Sequence, residues 1–161
     1  MTTIKLQTYI KAPAEDVFNL SRNIDFHILS AKNTNEKAIA GKAFGLIGLN
    51  ETVTWKGKHF GQHLTHQSKI TLFKFPTHFT DEMIKGNFRL FKHQHFFNTS
   101  SNITEMIDIL DYQTPYGILG KIFDRFILKK YLTNFLVTRN RSIKSHLESK
   151  RQGRKVLQHK V

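Results

Sequence analysis

The chain has 161 residues, no cysteine, 39% hydrophobic residues and a formal net charge of +13. That length suits one domain around a single core, and the apolar content, with 14 Phe, excludes a globally disordered chain. Without cysteine there is no disulfide framework, no thiolate chemistry and no cysteine-ligated zinc.

Residues 1–12 lack the basic start and apolar run of a secretory signal, and no stretch approaches the roughly 20 apolar residues of a membrane span, so a soluble, cytoplasmic protein is expected. The charge is unevenly spread. Up to Tyr116 there are 13 basic and 10 acidic residues, and from Gly117 onward 12 basic and 2 acidic. Lys121, Arg125, Lys129, Lys130, Arg139, Arg141 and Lys144 form this excess and are read first as a solvated outer face.

In chain order, Ile4 to Ile10 alternates apolar and polar residues and predicts a first strand. Pro13, followed by Glu15 and Asp16, suits a helix start. The apolar residues Val17, Phe18, Leu20, Ile24, Phe26, Ile28 and Leu29 then predict two short helices divided around Ser21 to Asp25. Lys32 to Leu49 reads as loop and turns; Gly41, Gly45 and Gly48 match neither a Walker loop nor a dinucleotide fingerprint. Glu51 to Phe60 predicts a strand with Glu51, Val53, Trp55, Gly57 and His59 inward, and the next places Leu64, His66, Ser68, Ile70 and Leu72 inward. Phe79 to Lys85 and a return strand joined at Gly86-Asn87 predict a hairpin, with Phe91, His93, His95 and Phe97 on one face. After a polar turn at Asn98 to Asn102, Thr104 to Tyr112 predicts the last strand, with Met106, Asp108, Leu110 and Tyr112 inward. A long amphipathic helix follows from Ile118 to Leu147. Its apolar stripe is Leu119, Ile122, Phe123, Phe126, Ile127, Tyr131, Leu132, Phe135, Leu136, Ile143 and Leu147. Residues 150–161 read as a basic flexible tail on a domain of residues 1–149.

This order resembles the helix-grip fold of the START-like, SRPBCC or Bet v 1-like superfamily over roughly Ile4 to Leu147. The carriers are Ile10-Lys11-Ala12-Pro13-Ala14-Glu15-Asp16-Val17-Phe18, the stretch from Gly45 to Trp55, Phe79-Thr80-Asp81-Glu82, and the stretch from Tyr112 to Gly120. They look most like a bacterial ligand-binding subgroup, some of whose members are termed cell-division-inhibitor-like. The resemblance implies an α+β fold: a curved antiparallel sheet of six or seven strands around one long C-terminal helix, with two short helices after the first strand. It further implies a deep cavity between sheet and helix. Relatives of this kind include lipid carriers, hormone receptors, allergens and polyketide cyclases, so fold alone assigns no activity.

The inward residues supply the chemistry. Apolar walls with a few convergent polar groups suit a hydrophobic small molecule that is lipid-, polyketide- or quinone-like. The expected ligand-binding residues are Trp55, His59, His66, Phe91, His93, His95, Asp108 and Tyr112, joined by Phe123 and Phe126 from the helix. His93 and His95 share a face, but the sequence fixes no third ligand, so neither metal nor cofactor is expected. A histidine beside Asp108 or Glu51 would serve as a general base in a cyclase or dehydratase; no nucleophile motif accompanies it, and binding ranks ahead of catalysis. An anionic membrane surface is a second partner class for the basic helix. Nucleic acid ranks lower, because the helix aromatics are needed in the core.

Overall fold

The structure is a computed structural model that describes residues 1–31 and 34–158, with side chains through Lys150. The expected tail of residues 150–161 lies, beyond the backbone up to Gln158, outside the described residues. Strand β1 (Thr2–Ile10) leads into helices α1 (Ala14–Ser21) and α2 (Ile24–Ser30). Six strands follow: β2 (Lys37–Gly41), β3 (Thr52–His59), β4 (Gln62–Lys74), β5 (His78–Lys85), β6 (Leu90–Ser100) and β7 (Ile103–Gln113). After them come α3 (Gly117–Phe123), a π-helical turn (Asp124–Leu128) and α4 (Lys129–Gln158).

The seven strands form one antiparallel sheet in the order β1-β7-β6-β5-β4-β3-β2. Sequential hairpins build it, and β1 closes on the last strand. Register shifts between Gln67 and Ser68 and between Ile70 and Leu72 mark bulges in β4, which bend a sheet toward one face. The β6–β7 hairpin turns through Ser101 and Asn102, both with positive φ as the tight primed turn demands. One expected loop is instead a strand. β2 escaped notice because it is a short edge strand that is largely exposed and pairs only with β3, so it carries no alternating apolar signal.

The core falls into two apolar clusters. Ile10, Val17, Phe18, Phe79, Phe97, Met106 and Ile143 gather under α1 and α2, and Ile4, Leu110, Tyr112, Leu128 and Leu136 gather toward the start of α4. Phe18 is the hub of the first, with its ring 5.2 Å from those of Phe73, Phe75, Phe79 and Phe97. As the alternation requires, Met106, Asp108, Leu110 and Tyr112 are all buried.

The final helix departs from the expected stripe. Leu119, Ile122, Phe123, Phe126 and Ile127 face solvent, and the inward row at this end is Gly120, Asp124 and Leu128. Gly120 packs against the chain before it: an added Cβ would lie 1.9 Å from the Pro115 carbonyl oxygen. Asp124 is drawn inside by hydroxyl donors from Thr2 and from Tyr112, each at 2.5 Å. The two donors outweigh the apolar pull of the neighbouring residues, and the π turn re-phases the helix so that Tyr131, Leu132, Phe135 and Leu136 face the sheet.

Tyr112→Phe should therefore cost about 1–3 kcal/mol, because it removes one donor from a buried carboxylate without opening a cavity. Urea unfolding should show a lower midpoint at unchanged slope.

Candidate functional site

A cavity of about 190 Å³ lies between the concave face of the sheet and the helix. The strands give it Trp55, Leu64, Phe88, Phe91 and Leu110, and the helix gives Leu128, Tyr131, Leu132, Phe135 and Leu136. Its exposed lining residues are Phe60, Thr65 and Asn87, so the mouth lies at the β3–β4 and β5–β6 turns. The Gly41 to Asn50 loop contributes nothing to this cavity. A groove of about 370 Å³ between α1 and the end of α4 is larger, but it carries Asp16, Asn19, Asn23 and Lys150 and less apolar wall.

At the inner end a polar layer separates the two apolar clusters. Asp108 on β7 pairs with His95 on β6, and its Oδ1 lies 2.7 Å from His95 Nδ1 and 3.0 Å from His93 Nε2. Its other oxygen accepts from Asn140 Nδ2 on α4 at 2.7 Å. His95 Nε2 in turn lies 3.3 Å from Asp81 on β5. A second cluster closes the side of the cavity. His27 stacks on Trp55 at 4.2 Å and donates through Nε2 to Glu36 at 2.6 Å, while His59 Nδ1 meets the Tyr131 hydroxyl at 2.7 Å.

Charge follows from these contacts. Burial pulls the His95 imidazole down, but the bonds to Asp108 and Asp81 outweigh it and leave its pKa raised above 6.5. Burial pushes Asp81 up, yet the His95 bond and the nearby His93, His95 and Arg139 bring it down to about 2. Asp108 is held low by both histidines against the same desolvation. His93 is lowered by burial and by the charge of His95, and burial also lowers His27 and His66. The layer thus favours protonation of His95, whose two nitrogens face carboxylates, and disfavours it at His93 beside it.

Of the residues expected from sequence, Trp55, His59, His66, Phe91 and His93 line the main cavity, and His95 lines a smaller one of about 60 Å³ that shares Trp55, Asp81 and Arg139 with it. Asp108 stands behind the two histidines, and Tyr112 is spent on Asp124, so neither lines the cavity. Phe123 and Phe126 are turned to solvent, Phe126 with 72% of its surface exposed, because Asp124 takes the inward position between them. Glu51 is half-exposed and binds the Gly48 amide and Lys42, away from the cavity. Sequence reasoning missed Glu36, Asp81 and Arg139. Arg139 was counted with the outer charges, although it follows Leu132 and Leu136 at helical spacing on the inward row; it lines the cavity and donates to the Ser21 carbonyl at 2.6 Å.

Asp81, His93 and His95 bring three donor atoms within 4.8 Å of one another, a spacing a cation can use. Here both His95 nitrogens face carboxylates and the Arg139 charge acts on Asp81, so the three work as a proton-sharing cluster. All buried side-chain polar atoms among the described residues have partners. Among the cavity-lining groups, the His66 ring packs edge-on against Phe91 and makes no hydrogen bond to protein among the described residues.

Solved structures share this arrangement. A protein from Thermus thermophilus matches with a TM-score of 0.75 at 15% identity, covering 92% of this chain and 98% of that one. The chain has the helix-grip fold. The Zhui aromatase/cyclase from Streptomyces sp. R1128 matches with a TM-score of 0.72 at 14% identity, over 91% of this chain and 93% of that one. Major latex-like protein 151 from Panax ginseng matches with a TM-score of 0.64 at 18% identity, over 91% and 97%. No family profile and no curated protein matches this chain by sequence. Among the described residues no helix is long and apolar enough to cross a membrane. Within this helix-grip interior the helix donates one wall and the sheet the other, with the charged layer as floor.

The pH dependence of stability isolates that layer. His95, with its raised value, contributes stability that is complete below pH 6.5 and lost as pH rises through its folded pKa. His27, His66 and His93 are lowered, so they weaken the fold only as pH falls below 6.5. Asp81 does so only between 3.8 and about 2. Unfolding free energy measured in urea should decline between pH 6.5 and the onset of tyrosine ionisation, and His95→Gln should flatten that decline.

Proposed function

We propose that this protein binds a compact hydrophobic molecule in the cavity between sheet and helix. The supporting observation is a largely apolar chamber of about 190 Å³ whose wall carries the Trp55 ring and His66, an imidazole with no hydrogen bond to protein among the described residues. Cavities near 150 Å³ hold a single aromatic ring, so this volume suits one or two fused rings, such as a quinone or phenolic head, better than a whole lipid. A neutral His66 offers one donor and one acceptor, which fits a carbonyl or hydroxyl on such a ring. The Trp55 face supplies stacking area.

A second reading has an observation of its own. His93 lines the cavity with Asp108 3.0 Å from its Nε2, the arrangement of a base whose orientation a carboxylate fixes. It favours proton abstraction from a bound ring compound, as in a cyclase or dehydratase.

Naphthol and naphthalene titrated calorimetrically separate these ideas. Naphthol should bind saturably. His66→Leu should weaken naphthol by about tenfold, the worth of one buried hydrogen bond, and leave naphthalene nearly unchanged. Trp55→Ala should weaken both while the domain remains folded. Absence of saturable binding for either compound would defeat the ligand reading. Turnover abolished by His93→Gln with binding retained would establish the catalytic one.

A further inference from the structure

The start of the final helix carries a surface that the cavity does not use. Ile118 and Leu119 are each 76% exposed and Phe126 72%, with Tyr116, Ile122 and Ile127 at least half or nearly half exposed beside them. Spacings of four residues (Ile118, Ile122, Phe126 and Leu119, Phe123, Ile127) put them on one continuous face. A globular protein rarely leaves so large an apolar face uncovered without a partner.

The charge around the face selects that partner. Lys121, Arg125 and Lys129 run along one flank at the same four-residue spacing, all exposed, and Lys130 follows. Asp124 is the one acid from Tyr116 to Lys130, and it is withdrawn into the protein by Thr2 and Tyr112. The surface is therefore apolar and cationic with no exposed carboxylate in the segment. A second copy would bring like charges together, and a nucleic acid would leave the apolar face uncovered. An anionic bilayer satisfies both, burying the apolar face below the headgroups while the cations meet lipid phosphates.

We infer that the segment from Tyr116 to Lys130 docks the protein in the plane of an anionic membrane. The position adds a consequence. Phe60 on the cavity rim contacts Phe123 at 5.4 Å and Tyr131 at 4.6 Å, so the docked face adjoins the mouth. That a ligand passes between bilayer and cavity rests on the binding reading above; docking itself does not.

The test is co-sedimentation of the full chain, without added ligand, with vesicles of phosphatidylcholine alone or mixed with phosphatidylglycerol. The chain should bind the mixed vesicles at least about tenfold more tightly than the neutral ones. Leu119→Ser with Phe126→Ser should weaken binding to mixed vesicles by at least about tenfold, and high salt should abolish what remains. Lys121→Gln with Arg125→Gln and Lys129→Gln should erase the preference for phosphatidylglycerol. Ile118→Ser with Ile122→Ser provides an independent apolar pair, should the first perturb the fold. Binding unaffected by either apolar pair would overturn the inference, as would no binding to mixed vesicles. A dimer by light scattering that the apolar pair converts to a monomer would overturn it too, assigning the face to self-association.

Discussion

Because Asp108 lies on β7 with His93 and His95 beside it on β6 and Asn140 across from it on α4, one buried carboxylate fixes several distances at once. Ionised in the interior, it is tolerable only with all its donors in place, since an unpaired buried charge costs several kcal/mol. Its two oxygens therefore lock the helix at a set height over the sheet. Asn140 adds a longer bond of 3.3 Å to Thr8, which ties β1 into the same arrangement. A wholly apolar interface would be free to collapse around its side chains; a hydrogen-bonded layer resists that, and the cavity on its Leu110 side persists. The two core clusters meet along this layer, so cavity and polar cluster are parts of one construction.

The same logic recurs at the head of the helix. Asp124 is bound by Tyr112 and Thr2, and that pairing decides which face of the first turns is inward. Two hydrogen bonds to a buried carboxylate override a hydrophobic stripe that would otherwise have turned in, and the π turn absorbs the change of phase before α4 begins. Two buried aspartates thus explain both the open chamber and the exposed apolar face next to its mouth.

Chemically, the interior separates roles. His95 faces both Asp81 and Asp108 and is the imidazole whose protonation they favour, whereas burial disfavours protonation of His93, and His66 makes no hydrogen bond to protein among the described residues. A group already balanced by two carboxylates is a poor anchor for a ligand, whereas an unengaged imidazole on an apolar wall is a good one. Under the proposed function, recognition falls to His66 and Trp55, and proton transfer in the catalytic reading falls to His93.

The sequence by itself determined the periodic features. Alternation in β3, β4, β6 and β7 marked which side chains point inward, and that is why Trp55, His66, His93 and Met106 were legible as inward residues. The four quoted stretches carried the helix-grip resemblance, and the two short helices were marked by Pro13 and the acids after it. What periodicity could not show was partner choice. Whether Asp124 or Phe126 turns inward depends on Tyr112 and Thr2, at least a dozen residues distant or on the far edge of the chain. Arg139 reads as a surface charge until Ser21 supplies its acceptor, and Asp81 as a strand residue until His95 faces it across the ladder. Short-range pattern reports solvent against core; only tertiary contact decides which polar group is worth burying, because that depends on whether a donor from elsewhere in the chain arrives to meet it.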